Sequence, residues 1–399
     1  MSDTNAVTGD RPLAGLKVLD FSRVLAGPFA GRMLADLGAD VVKIEPPEGD
    51  VTRLWGRRVA GIAGYFAQQN AGKRDLCLDL SRSGAAEFVA RLAETADVVV
   101  ENFRPGVMDR LGIGYEVLST VNPRLVMLSI SGFGQAGPES GRAAYAPIVH
   151  AESGVVARQA AFTGTPAAEL PLSVADTNAA LHGLVGLLAA LWARERTGRG
   201  DHLDVAMLDA MLATDDHLHY ALEDAEHTRP MQSEVWETAI GPVMLSGDFR
   251  HLWKLLVEHC GVEDPTPAGA SLEEKIAARR RAAADYLAGL PDREALVAAL
   301  DRMNLAWGRV LDSRSAVLES ATVRARGSVA AVDDRAGGTR PVVQSPYRYR
   351  HLGSGVRGPA PRRGEHNAEV LADWLGLAPA AVAELAAEGI LLAEDGDGA

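Results

Sequence analysis

Two places in the sequence put reactive or ligand-receiving groups where chemistry could use them. Asp176 lies in Leu172-Ser173-Val174-Ala175-Asp176-Thr177-Asn178, at the mouth of an apolar helix expected over residues 178–194. A carboxylate there satisfies the unpaired amides of a helix start. It is also a free acid available for reaction, and the local sequence leaves both readings open. The second place is Val24-Leu25-Ala26-Gly27-Pro28-Phe29-Ala30-Gly31. It lacks the G-x-G-x-x-G of a dinucleotide fold. Its small residues open a helix whose N-terminal dipole favours an anion, so a phosphate or an adenine can approach the backbone. Tight packing of the turn accounts for the same residues equally well. Cysteine chemistry is not indicated: Cys77 and Cys260 are too few for a disulfide framework or a zinc site. Cys77, in Asp75-Leu76-Cys77-Leu78-Asp79, reads as a small core residue of a strand.

Alternating strands and helices must carry these groups. Residues 16–20 read as a buried strand, followed by the loop Phe21–Leu25 and a helix with Pro28 in its first turn. Phe29, Met33, Leu34 and Leu37 recur at helical spacing, and Gly38 ends the run. Residues 41–45 form the next strand, before Pro46-Pro47. This is a βαβ unit, whose crossover implies a parallel sheet. The pattern repeats with a helix over 87–94, a strand over 97–100 and a strand over 125–130. Strand ends deliver Phe21–Leu25, Glu101-Asn102-Phe103-Arg104-Pro105 and Ser131-Gly132-Phe133-Gly134, and open α/β sheets bind ligands at the carboxyl ends of their strands. Residues 154–175 read as loop, 203–205 as strand and 207–222 as helix. Beyond Leu222 the chain turns polar and irregular to Glu237. Helices resume over 249–259, 272–287 and 293–303; residues 329–343 are strand and loop; helices over 368–375 and 378–388 close the chain. Residues 394–399 are expected to be disordered.

The chain has 399 residues, 47% hydrophobic and 23% charged, the balance of an ordinary globular protein able to bury a core without metal or disulfide staples. A net charge of −13 argues against nonspecific nucleic-acid binding and against a basic membrane surface. It leaves room for an anionic ligand held by a few local Arg and Lys side chains. Met1–Asp10 is polar and reads as neither a signal nor a transit peptide. The longest apolar run, Leu181–Ala193, is interrupted by His182 and is shorter than the ~20 residues that span a bilayer. It reads as a buried helix, and the protein as cytoplasmic.

Several blocks together strongly resemble the family III CoA-transferases, a superfamily that includes formyl-CoA transferase, the carnitine CoA-transferases and α-methylacyl-CoA racemase. The opening blocks are Leu13-Ala14-Gly15-Leu16-Lys17-Val18-Leu19-Asp20-Phe21, Ala26-Gly27-Pro28 and Leu37-Gly38-Ala39-Asp40-Val41-Val42-Lys43-Ile44-Glu45-Pro46. Further blocks are Gly72-Lys73-Arg74, Val100-Glu101-Asn102-Phe103-Arg104-Pro105-Gly106, Asn122-Pro123-Arg124-Leu125 and Ser131-Gly132-Phe133-Gly134. Ala175-Asp176, Glu195-Arg196-Thr197-Gly198-Arg199-Gly200, Val205-Ala206-Met207-Leu208-Asp209-Ala210 and Gly364-Glu365-His366-Asn367 follow in order. The likeness covers nearly the whole chain and is weakest over 223–343.

The resemblance implies an α/β fold: a Rossmann-like large domain with a parallel sheet, built from residues 1–222 and 344–399, and a smaller α+β domain over 223–343 that sets specificity. It also implies an interlocked homodimer. Asp176 falls at the catalytic aspartate, which attacks the donor thioester. An aspartyl anhydride and then an aspartyl-CoA thioester follow, with no metal or ATP. Coenzyme A, as substrate, would meet Val24, Leu25, Ala26, Leu78, Asp79, Asn102, Phe103, Arg104 and Arg110, with the guanidinium groups toward phosphates. Leu25 stands where formyl-CoA transferase has glutamine, and Arg82 lies one residue past a position that is often lysine. Residues 223–241 lack the glycine run of the lid in several relatives. Tyr145 occupies the place of the racemase histidine, and His150 is expected in the substrate pocket. Glu365 and His366 are expected to be structural. The partners expected are an acyl-CoA and a carboxylic acid, possibly a dicarboxylate. A racemase is the runner-up, and an inactive CoA-binding scaffold the alternative of another class.

Overall fold

A computed structural model describes residues 11–223 and 233–394. The expectations placed on Met1–Asp10, on 395–399 and on 224–232 within the lid-like stretch lie outside the described residues. Seven strands form the main sheet: β1 (Lys17–Asp20), β2 (Asp40–Glu45), β3 (Arg74–Leu78), β4 (Val98–Glu101), β5 (Val126–Ser131), β6 (His202–Ala206) and β7 (Leu391–Leu392). Their order is β7-β3-β2-β1-β4-β5-β6. All neighbours run parallel except β7, which is antiparallel to β3. The sequence dictates this layering. Val18, Val41, Val98 and Val126 face one apolar core, while Leu19, Val42, Val99 and Met127 face another. A strand covered on both faces reads as a continuous apolar run, as these do.

Helix α1 (Ala26–Asp36) and helix α4 (Val174–Thr197) fill the first core; a third helix, α2 (Gly64–Asn70), packs beside α1, and α3 (Ala146–Glu152) lies beside α4. Gly186 lets α4 settle on β6, because a Cβ there would stand 2.6 Å from Leu203. The order of strands reverses at β1: β2 and β3 lie to one side, β4 to β6 to the other. Loops leaving β1 and β4 therefore diverge and open a crevice at their carboxyl ends.

A separate compact unit spans His219–Arg324. Its three antiparallel strands, Glu234–Trp236, Val243–Leu245 and Trp307–Arg309, pack with three helices around Leu252, Leu256, Leu287 and Leu300. The expected small domain ran to residue 343. Instead, the hairpin of Val329–Asp333 and Thr339–Val343 packs into the large unit. Val332 and Val342 bury against Ala71, and the Gln68 side chain both donates to and accepts from the Val343 backbone at 2.9 Å. A hairpin pattern does not say which core it joins.

Two other expectations change. The 154–175 loop contains a helix over Val155–Thr163 with no buried residue, so no apolar stripe announced it. Helix α4 begins at Val174, four residues early, and only about a third of it is buried. An 18-residue stretch of this 24-residue helix has a mean hydropathy of 1.4, enough by length and composition to cross a membrane. One face packs on the sheet, while Leu181, Val185, Leu188 and Trp192 are exposed along another.

The C-terminal motif is a splice onto β3. Asp75 Oδ1 accepts the Gly364 amide at 2.5 Å, His366 donates its backbone amide to Asp75 O, and Asn367 Oδ1 accepts from Cys77 N. Glu365 pairs with Arg335 at 2.6 Å.

Beneath the turn after β1 lies a buried ionic lattice. Lys73 Nζ donates to Asp20 Oδ2 at 2.7 Å, and to Pro28 O and Asn70 Oδ1 at 2.9 Å. Gly31 leaves room for that pair, since a Cβ would lie 2.5 Å from Asp20. Burial pulls the Lys73 pKa down to about 8 against the charge of Asp20. Burial also opposes the charge of Lys43, but Asp50, Asp20 and Glu45 outweigh it and raise its pKa. Breaking a buried pair on one side strands the other charge. Lys73→Met is therefore expected to lower unfolding free energy by about 3–5 kcal/mol in denaturant titrations. Adding Asp20→Asn to Lys73→Met should recover part of that loss; equal or greater loss in the double variant would contradict the pairing.

Candidate functional site

The turn after β1 is held in an unusual conformation. Val24 has φ of 67°, a left-handed value that a β-branched residue rarely takes. Its amide donates to Asp50 Oδ2 at 3.2 Å. Asp50 in turn accepts from Lys43 Nζ at 3.2 Å, and Lys43 also donates to Ser22 O at 2.8 Å. From β4, Asn102 accepts the Arg23 amide at 2.7 Å and donates to Arg23 O at 2.8 Å. The two loops flanking the crevice are thus fastened to each other. Glu101 supports the second loop by accepting the Phe103 amide at 2.7 Å. Burial pushes the Glu101 carboxyl up to about 7.

The crevice deepens into a cavity of about 900 Å³ lined only by residues of the large unit. That volume suits a large ligand. Val24, Ala26, Asp79, Asn102, Phe103, Arg104, Tyr145 and Asp176 all line it, so the topology gathers eight of the expected site residues from five separate stretches of chain. Four others lie outside the lining. Leu25 is buried at the N-cap of α1, and Leu78 faces the second core. Arg110 sits exposed on the short helix Val107–Arg110, one turn beyond the wall. His150, expected in the substrate pocket, is 1% exposed and spends its Nε2 on the Ala175 amide. Arg82 pairs with Asp79 at 3.2 Å instead of lining the cavity.

Arg23 and Arg104 line the cavity without an ion-pair partner among the described residues, which leaves two guanidinium groups for ligand phosphates. Phe103, Ile44, Val51 and Pro46 give an apolar stretch of wall. Sequence reading missed the Ile44–Glu48 wall, although the strand-end rule that found Asn102 would have found it after β2. It also missed Arg142, which lies over the Phe133 ring and pairs with Glu139 and Glu152, and for which no sequence signal existed.

Asp176 is the third residue of α4, inside the first turn; the N-cap is Ser173, which makes no side-chain hydrogen bond. The carboxylate is half-buried on the cavity wall. Burial raises its pKa to about 6, against the Ala26 amide and its own amide, which favour the charged form. The Ala26 amide belongs to the start of α1, so the carboxylate and a potential oxyanion donor meet at one spot. Burial, then the charges of Asp176 and Asp50, raise the Tyr65 pKa, which puts this α2 residue within electrostatic reach of Asp176. Tyr65 packs edge-on against Trp55 at 5.2 Å. Among the described residues no group of three or more His, Cys, Asp or Glu side chains is placed to hold a metal ion. A desolvated carboxylate beside backbone donors can act as a nucleophile or as a base.

Comparison with known proteins gives this geometry its context. Residues 13–367 match the family described as CoA-transferase family III. The chain is 33% identical to the succinate–glutarate CoA-transferase of Agrobacterium fabrum, over 91% of this chain and 95% of that one. It is 44% identical to the acetyl-CoA:oxalate CoA-transferase of Acetobacter aceti, over 54% of this chain and 56% of that protein. A crystal structure of a CaiB/BaiF family protein from Brucella suis superposes with a TM-score of 0.76 at 31% identity, covering 92% of this chain and all of that one. The match spans both the crevice and the C-terminal splice, and on it the chain belongs to CoA-transferase family III.

Proposed function

We propose that this enzyme transfers coenzyme A from an acyl-CoA to a dicarboxylic acid, with Asp176 as the nucleophile. The observation that carries this reading is the Asp176 carboxylate itself, desolvated on the wall of a 900 Å³ cavity beside the Ala26 amide. In the first step an Asp176 oxygen attacks the thioester carbonyl. The C–S bond breaks, CoA leaves as thiolate, and an aspartyl-acyl anhydride remains. The thiolate then attacks the aspartyl carbonyl, which releases the donor carboxylate and leaves an aspartyl-CoA thioester. The acceptor carboxylate attacks that thioester to give a new anhydride and free thiolate. Attack of the thiolate on the acceptor acyl carbon regenerates Asp176 and yields the new acyl-CoA. Each tetrahedral state carries an oxyanion that an amide such as that of Ala26 can stabilise. The Arg23 and Arg104 side chains suit the phosphates of the carrier. Glutarate and oxalate in the names of the relatives support a dicarboxylate acceptor.

Racemisation at an α-carbon needs two acid/base groups flanking that carbon. Tyr145 stands on the wall at the racemase histidine's position, and His150 is buried away from the cavity. Tyr145 offers no imidazole and His150 does not reach the cavity, so neither flanks the α-carbon as the second base.

For the assembly we propose an interlocked homodimer. The exposed stripe of Leu181, Val185, Leu188 and Trp192 on α4 supports a second copy of this chain as the occupant of that face.

Four outcomes are expected. Asp176→Ala should lower turnover by at least about 10³-fold while acyl-CoA still binds. Hydroxylamine trapping after acyl-CoA should mark Asp176 as a hydroxamate in the wild type and leave the variant unmarked. Because the attacking group must be ionised, turnover should be level above pH 6 and fall about tenfold per pH unit below it. Full turnover by Asp176→Ala would rule out the nucleophile assignment. In equilibrium sedimentation the protein should have twice the chain mass down to the lowest measurable concentration; a folded, active monomer would refute the dimer.

A further inference from the structure

Helix α4 starts without a cap of its own. Ser173 makes no side-chain hydrogen bond, yet Ala175, the second helical residue, is wholly buried. A buried amide in the first turn has no partner within its helix and needs an acceptor from elsewhere. Another helix provides it: His150 Nε2, on α3, accepts the Ala175 amide at 3.1 Å. Asp176 is the next residue. We propose that His150 is a positioning residue for Asp176: through Ala175 it fixes the first turn of α4, and with it the direction in which the carboxylate meets the cavity. This rests on the reading of Asp176 as the nucleophile.

The contact defines the chemical form of the imidazole. An accepting Nε2 carries a lone pair, so the ring is neutral with its proton on Nδ1. Either an Nε2–H tautomer or an imidazolium would set two donors against each other across 3.1 Å. It would also leave the Ala175 amide unpaired in a buried place. His150 Nδ1 has no partner among the described residues, and that single unpaired donor is the smaller penalty. Burial disfavours the charged ring as well, with the charge of Glu169 opposing.

The helix that carries His150 is itself anchored. Ala146 and Val149 of α3 are buried in the core shared with α4. Tyr145, the N-cap residue of α3, lines the cavity. One short helix therefore connects a wall residue with the support of the nucleophile, so the reacting group is held by a packed second layer. His150 is not among the residues lining the cavity, and the candidate carrier contacts there sit after β1, β3 and β4. Losing the His150 acceptor should therefore affect the chemical step and spare carrier binding.

The test compares His150→Phe, which keeps a ring and removes the acceptor, with His150→Gln, whose Oε1 can accept the same amide. His150→Phe is expected to lower kcat about 10²-fold, the effect of misplacing a reacting group by about 1 Å. KM for acyl-CoA should stay within about twofold and His150→Gln should return kcat to within about tenfold of wild type. Wild-type kcat in His150→Phe, equal impairment of both variants, or a defect confined to KM would each overturn the proposal. If His150→Phe fails to fold, the tautomer decides. A two-bond nitrogen–proton correlation spectrum of the wild type should show His150 protonated on Nδ1, the signal being assigned by its absence in His150→Gln. An Nε2–H signal would overturn the proposal. Asp176→Ala is assayed alongside. Its retaining activity would sink the nucleophile reading, while the spectrum would still report on the His150–Ala175 bond.

Discussion

The structure depends on two buried ammonium groups under one turn. Lys73 and Lys43 are almost fully buried beneath the loop that leaves β1, where they meet Asp20, Asp50 and the Ser22 carbonyl. Charges in such a place are tolerable only when paired and fully hydrogen-bonded. The pairing dictates its surroundings. Asp50 becomes the acceptor that holds Val24 at positive φ, and Gly31 has to be glycine for α1 to pass over the Lys73–Asp20 pair. The start of α1, and hence the Ala26 amide, is placed by this lattice and not by α1's own capping, since the Leu25 N-cap offers no side-chain hydrogen bond.

The same economy appears at α4. Both helices that meet at the cavity begin without caps of their own and take their end groups from other elements. A capped helix end is set locally, whereas an end capped from outside is set by the whole packed core. The Asp176 carboxylate can thus be held close to the Ala26 amide with little freedom, which is what preorganised electrostatic catalysis requires. Its pKa near 6 follows from burial, which outweighs the Ala26 amide and its own amide favouring the charged form. A carboxylate so placed is ionised at neutral pH yet poorly solvated, a form suited to attack on a thioester.

Much of the large unit was legible from the chain. Strands β1 to β6 all fall within a residue or two of the apolar runs, because a sheet covered on both faces needs continuous apolar sequence. The helices over Phe249–Cys260 and Arg293–Met303 followed their periodicity. The helix over Val155–Thr163 escaped detection because it buries nothing, and the start of α4 was placed late because Asp176 looks like a cap, whereas the N-cap is Ser173, three residues earlier. The hairpin ending at Val343 was given to the wrong unit because its partner, Gln68, lies 275 residues away.

The sequence by itself determined the kind of fold, the strand ends that border the cavity, and Asp176 as the residue to watch. These depend on local periodicity and on motif residues adjacent in the chain. Tertiary structure alone decided which residues face the cavity and what state they are in. It took Leu25, Leu78 and His150 off the wall, brought Arg23, Arg142 and Ile44 onto it, and put a buried imidazole beneath the turn that carries Asp176. Side-chain direction, desolvation and pairing with groups far along the chain are properties of packing, and no local pattern encodes them.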